Sequence, residues 1–284
     1  MSAARRPSSA LGAEVESIVT RVGRSDVGDN LWFGFRVGAE LAGNTSLTEL
    51  FAHAVGTRSI DPDAIHVLDD LATVMALADP QIWPLKIGRL VGSYGGVLAA
   101  VAAVDLAFDS DFIGPWTTGH AAKMMVELRE QLGPDVNDRS ATDRAIRERI
   151  ERRERLIGFG VPFRPEDERV VALQACMKRR GRDKLLYWGL LEQMAVVVLR
   201  ERKLPMNIGL GVAAACLDIG FGPEQIAPLT VALMQNVLFA NAVEGAAQAP
   251  RILRQLPAHT VRFDGHPPRP SPRAEAATAT AKTH

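Results

Sequence analysis

Apolar residues along this chain recur mostly at three- and four-residue steps, the spacing of one buried helix face. Asp61-Pro62 supplies an N-cap followed by proline at the first helical position. Ile65, Leu68, Leu71, Ala72, Met75 and Ala78 then keep helical register until Pro80 and Pro84 end the pattern. A second apolar helix is predicted from about Lys86 to Ala107. Its Gly92, Gly95, Gly96, Ala99, Ala100 and Ala103 would let another helix approach closely, so it is expected to be heavily buried and partly at an interface. A third helix, from about His120 to Leu132, sets Ala121, Met124, Met125, Leu128 and Leu132 on one side and stops at Gly133-Pro134. Gly222-Pro223 opens a long helix with Ile226, Leu229, Leu233, Val237, Leu238 and Asn241 in register. Strand alternation is scarce. Val196-Val197-Val198 sits inside a helical segment, where packing overrides its β preference. Thr20 to Val37, punctuated by Gly23, Gly28 and Gly34, has room for a short hairpin. The predicted class is all-α.

Composition narrows the partners. Lys+Arg and Asp+Glu both total 33, so no net field draws in nucleic acid or an anionic membrane. The apolar run from Leu90 to Phe108 holds glycines, Ser93 and Asp105, which suits a tightly packed helix better than a membrane span. Two arginines near the N-terminus have no apolar stretch behind them, so no secretory signal is expected, and an organelle-targeting reading is weak. Cys176 and Cys216 lie in helical patterns without metal-ligand spacing. A reduced, cytoplasmic setting is therefore the default, with no metal and no disulfide. Ala141 to Leu156 interleaves both charge signs and reads as a solvated, salt-bridged helix. Beyond Gly265 the Pro-, Ala- and Thr-rich sequence lacks an apolar face and is expected to be disordered.

Candidate chemistry lies in separated blocks. They are Glu40-Leu41-Ala42-Gly43-Asn44-Thr45-Ser46 through Gly56, Arg89-Leu90-Val91-Gly92-Ser93, and Gly158-Phe159-Gly160-Val161-Pro162-Phe163-Arg164 through Arg169. Pro205-Met206-Asn207-Ile208-Gly209-Leu210 follows, running on to Asp218, and Val261 to Gly265 comes last. In order and spacing these blocks resemble the citrate synthase and citryl-CoA lyase family, over roughly Thr20 to Gly265. The resemblance implies an all-α dimer in which a small helical domain, 157–206, is inserted between two parts of a large one, 14–156 and 207–264. Segments 1–13 and 265–284 would be disordered ends.

Family chemistry joins an acyl-CoA to an oxo-acid or runs the reverse cleavage. It needs a carboxylate to take the thioester's α-proton, a donor for the enolate oxygen, and a second histidine to polarise the attacked carbonyl. Arginine forks hold the carboxylates. By the same resemblance the base position is Gly209 and the carbonyl-polarising position is Val161. The enolate-donor position is Thr117, taking Gly114 to Gly119 as the turn, and a further histidine position is Pro80. Gly158, Phe159, Gly160 and Arg164 are placed against CoA, and Arg169, Arg251 and Arg254 against substrate carboxylates.

Candidate replacement groups lie nearby in the sequence. His120, three residues beyond Thr117, is the candidate proton donor, against a structural role at a helix start. Thr117 and Thr118 could hydrogen-bond a carbonyl. Asp218 reads as structural, Asp111 as a further carboxylate near the site, and Asp167 as a brace for the arginine loop. His53 and His66 read as surface or boundary residues, while Trp83, Trp116 and Met206 would make the pocket more apolar. Two functions are expected to compete. One is an enzyme acting on an acyl-CoA and a small oxo-acid or carboxylic acid with rearranged groups and no permanently bound cofactor. The other is a catalytically silent CoA-binding homologue, paired with itself or with an active relative.

Overall fold

The computed structural model describes residues 19–56, 60–77, 79–110, 113–162, 164–249 and 257–273. Among them ten α-helices carry the fold: α1 Leu47–Ala54, α2 Pro62–Val74, α3 Trp83–Gly95, α4 Val97–Phe108, α5 Trp116–Leu132, α6 Arg139–Glu151, α7 Glu168–Arg179, α8 Leu186–Arg202, α9 Ile208–Asp218 and α10 Pro223–Ala246. The chain divides into two units, Met1–Gln248 and Ala249–His284. All ten helices belong to the first. Residues 257–273 of the second are exposed, with one short turn of 3₁₀ helix at Ala258–Thr260.

Start signals act where the sequence places them. The Asp61 carboxylate accepts from the Asp63 amide at 3.2 Å, and Ser46 Oγ accepts from Glu49 N at 3.2 Å. The glycine-punctuated segment forms three short antiparallel strands, β1 Gly23–Ser25, β2 Asn30–Trp32 and β3 Phe35–Arg36. Phe33 and Gly34 join the last two with φ of 49° and 93°, the double left-handed geometry of a tight hairpin turn.

At the centre lies α9. Every residue from Gly209 to Leu217 is buried, as expected of a helix apolar all round. Its glycine and alanine faces let α5 and α8 pack close. Trp188, Leu191 and Met194 of α8 and Met125 and Leu128 of α5 complete the main hydrophobic cluster. The interleaved charges fall on α6, which buries Ala141, Thr142, Ala145 and Ile146 and turns Arg139, Arg144 and Arg147 outward, while the Arg149 side chain is mostly covered. Arg147 and Arg200 both meet Asp143, at 2.8 and 2.5 Å. Such exposed pairs contribute about 0–1 kcal/mol each.

The predicted single helix from Lys86 to Ala107 is two helices. Gly96, at φ 88°, turns the chain back so that α3 and α4 lie antiparallel. Small residues serve the contact: a Cβ on Gly88 would stand 1.9 Å from Val104 Cγ2, and one on Gly92 would stand 3.1 Å from Ala100 Cβ. Heavy burial is not seen within the described chain, because α4 buries only Ala100, Val104 and Phe108. Leu98 and Leu106 stay 87% and 75% exposed. Among the described residues, α10 is long and apolar enough to cross a membrane, but half of its apolar stretch is buried inside the protein.

Candidate active site

Three segments close around one cavity of about 450 Å³. The first is the start of α5. Gly114, at φ 80°, lies against Phe108, where a Cβ would meet the ring at 2.8 Å, and Thr117 and Thr118 follow at the helix entrance. Thr117 Oγ1 donates its one proton to Gly114 O at 2.6 Å. Thr118 Oγ1 donates to Pro115 O and stands 3.1 Å from Thr230 Oγ1 of α10.

The second and third segments are the Gly158–Phe159–Gly160 loop and the residues leading into α9, and they are tied together. Gly160 N donates to Pro205 O at 2.7 Å, and Asn207 N donates to Gly158 O at 2.9 Å. Asn207 does more. Its Nδ2 donates to Gly160 O at 3.1 Å, while its Oδ1 accepts from Gly209 N at 3.0 Å and caps α9. Gly158 has φ 91°, and a Cβ there would stand 2.6 Å from Leu210 Cβ, so only glycine fits.

Asp167 locks the assembly. Its side chain is almost wholly buried and accepts four hydrogen bonds. Oδ1 takes Arg169 N at 3.1 Å and Nε at 2.8 Å, and Oδ2 takes Arg169 Nη2 at 2.8 Å and Ile208 N at 2.9 Å. Burial by itself raises the carboxyl's pKa. The Arg169 guanidinium and the two amides outweigh that and hold it below the usual carboxylate range. A carboxylate offers about four acceptor sites, and all of these are occupied. Asp167 is therefore a brace, as the sequence predicts, and is not available as a base.

Thr117, Val161 and Gly209, far apart in sequence, all line this cavity. A Cβ on Gly209 would lie 3.4 Å from Thr117 Oγ1, so these two positions face each other directly. Gly158, Phe159, Gly160 and Arg169 line it too. Arg164 does not; it is half exposed and ion-paired with Glu168. His120 lines a separate depression with Lys123, Glu127, Arg149 and Glu154, which shares only Arg155 and Ile157 with the cavity. Pro80 is exposed and does not line it. Arg251, Arg254 and Asp111 lie outside the described residues.

Other expectations need correcting. His53 is buried, not a surface residue, and its ring stacks at a tilt on Phe35 with centroids 5.1 Å apart. Of the three residues expected to make the pocket apolar, only Trp83 lines it. Trp116 instead donates to Asp109 at the surface, and Met206 packs on the main cluster. The apolar wall comes from Ile82, Leu85, Phe108, Met234 and Val237, which sequence reasoning assigned to helix cores or left unread. Arg155, read as part of a solvated charge run, also lines the cavity. Thr230, a hydroxyl in the apolar register of α10, is a sequence signal that this helix meets a site.

Asp218 does not line the cavity. It accepts from Tyr187 N and Trp188 N, both at 2.8 Å, and so caps α8, whose own N-cap Leu185 offers no acceptor. Burial pushes its pKa up to about 6, against the pull of those two amides. A raised carboxyl pKa favours the fold when protonated. Its contribution is full below the unfolded value of ~3.9 and is lost as pH rises through about 6. Carboxyl NMR is expected to show this titration near pH 6, and a titration near 4 would contradict it.

No protein-family model and no curated protein matches the sequence. Solved structures do match in shape. Citryl-CoA lyase from Hydrogenobacter thermophilus superposes with a TM-score of 0.75 at 18% identity, covering 91% of this chain and 99% of that one. ATP citrate lyase from Methanothrix soehngenii, in complex with citrate and coenzyme A, gives 0.68 at 13% identity, covering 96% of this chain and 46% of its own. Citrate synthase from the thermophilic archaeon Thermoplasma acidophilum, in a ternary complex with carboxymethyl coenzyme A and oxaloacetate, gives 0.60 at 14%, covering 82% and 60%. This chain has the citrate synthase and citryl-CoA lyase fold.

Proposed function

We propose that this chain is a CoA-thioester-binding protein whose site has lost the groups for enolate chemistry, a catalytically silent counterpart of citrate synthase and citryl-CoA lyase. One observation carries the reading. Thr117, Val161 and Gly209, matched to the catalytic positions by resemblance, converge on one cavity, and the single carboxylate among its described lining residues is saturated. Similarly folded proteins hold CoA, with citrate or with oxaloacetate. The glycine loop and Arg169, which line the cavity, are proposed to anchor the ligand here, with Arg164, exposed outside the cavity, meeting the CoA phosphates.

Calorimetry with CoA tests this. Arg164→Ala is expected to weaken binding by tenfold or more, in keeping with ~1.5–3 kcal/mol for a charge-assisted contact. No binding of CoA by the parent protein would sink the proposal. The protein is also proposed to be a cytoplasmic homodimer joined through the uncovered face of α4 with Tyr94, Phe239 and Val243, all of which are exposed in the single chain. Sedimentation at micromolar concentration is expected to give a dimer, and a stable monomer would contradict it.

A further inference from the structure

Among the described residues there are two hydrophobic clusters, and the cavity lies between them. The smaller one gathers Leu85, Val104, Phe108, Val237 and Leu238 from α3, α4 and α10. Leu85, Phe108 and Val237 present it to the cavity. Val212 presents the main cluster from the other side, and Met234 packs against both. Two apolar surfaces thus face each other across space that no described side chain fills.

The three positions matched to catalytic groups bring little polarity to this space. The Val161 and Gly209 side chains have no polar atom, and the Thr117 proton is taken by Gly114 O. Thr118 Oγ1 and Thr230 Oγ1 bond each other and the backbone, and Asn207 bonds Gly160 O and Gly209 N. The charged residues among the described lining are Arg155, Arg169 and Asp167, a single net positive charge. A di- or tricarboxylate would therefore enter an apolar cavity without enough cations to balance it, which is costly. A hydrocarbon chain would not, and pockets of a few hundred Å³ lined mainly by apolar side chains take up apolar ligands.

We infer that the cavity is an acyl-chain pocket, selecting CoA thioesters of medium-length, apolar acyl groups over acetyl-CoA and over polycarboxylates. The inference rests on the CoA-thioester reading above. In this arrangement the chain lies between the two clusters, with Thr117 and Gly209 flanking it. Leu85, Phe108, Met234 and Val237 then determine the acyl length accepted.

The test is a calorimetric series on the full chain with CoA, acetyl-CoA, hexanoyl-CoA, decanoyl-CoA, free decanoate and citrate. Kd is expected to fall about two- to fourfold per added methylene, as burial of each group predicts. Decanoyl-CoA would then bind at least ~100-fold more tightly than acetyl-CoA, with citrate not detected. Val161→Trp, which fills the cavity from its loop, is expected to collapse that ratio. If circular dichroism shows this variant unfolded, Gly209→Val serves the same purpose. CoA binding with no gain along the series overturns this inference and leaves the CoA reading standing. Binding of decanoate with none of CoA overturns both, as does the absence of any binding.

Discussion

Asp167→Ala is expected to destabilise the protein by about 3 kcal/mol, a large share of a typical folding free energy. The magnitude follows from what the carboxylate holds. Its side chain is 1% exposed, and it accepts from the Arg169 guanidinium and from the amides of Arg169 and Ile208. Removing one partner of a buried pair costs ~3–5 kcal/mol, because the charge left behind has no compensation. The Arg169 side chain is 29% exposed and can recover some hydration, so the lower end applies. Urea unfolding should show the midpoint fall with the slope unchanged. A loss below about 1 kcal/mol would mean that the pair behaves as a surface salt bridge. Acid adds a second readout. Because the Asp167 pKa is depressed, its contribution is present above the unfolded value of ~3.9 and is lost as pH falls below it. Asp167→Asn should flatten that acid limb.

Much of the fold was legible because caps and periodicity are local. The Asp61-Pro62 start and the Gly133 stop fall where α2 begins and α5 ends. The break at Gly95-Gly96 was not, since an unbroken run of small apolar residues has the same pattern in one helix as in two packed face to face. Only the left-handed backbone at Gly96 separates them. The site was half legible. The family resemblance of the Gly114 to Gly119 turn, the glycine loop and the asparagine segment pointed to Thr117, Val161 and Gly209, which line one cavity. The apolar wall did not declare itself, because residues lining a cavity keep the same helical register as residues filling a core. His120 shows the reverse error. Three residues along a helix stop about 60° short of a full turn, and His120 accordingly lines the neighbouring depression and not the cavity that Thr117 lines.

Purified protein is expected to release thiol from acetyl-CoA and oxaloacetate, or from citryl-CoA, at less than ~10⁻³ s⁻¹. That is about four orders below a typical enzyme turnover of ~10 s⁻¹. Losing a general base costs ~10²–10⁴ and losing an oxyanion donor ~10²–10³, and the two do not simply multiply. Gly209 cannot take a proton, Val161 cannot polarise a carbonyl, and Asp167 has no vacant lone pair to substitute. The backbone itself does not forbid a carboxylate base at this position. Gly209 is absent from the positive-φ glycines and sits in the first turn of α9, a conformation any residue adopts. A new Cβ there would lie 3.1 Å from Asn207 Oδ1 and 3.4 Å from Thr117 Oγ1, a contact relieved by shifts of tenths of an ångström. Gly209→Asp would thus place a carboxylate opposite residue 117, with its pKa raised by the apolar walls. Combined with Val161→His and Thr117→His, it is expected to restore a trace of thiol release where each single change restores none. A parent turnover above ~1 s⁻¹ would overturn the silent reading. His120→Ala would then decide the cause: if activity disappears, the proton donor acts from the neighbouring depression, and if it persists, the base lies on a residue other than those assigned here.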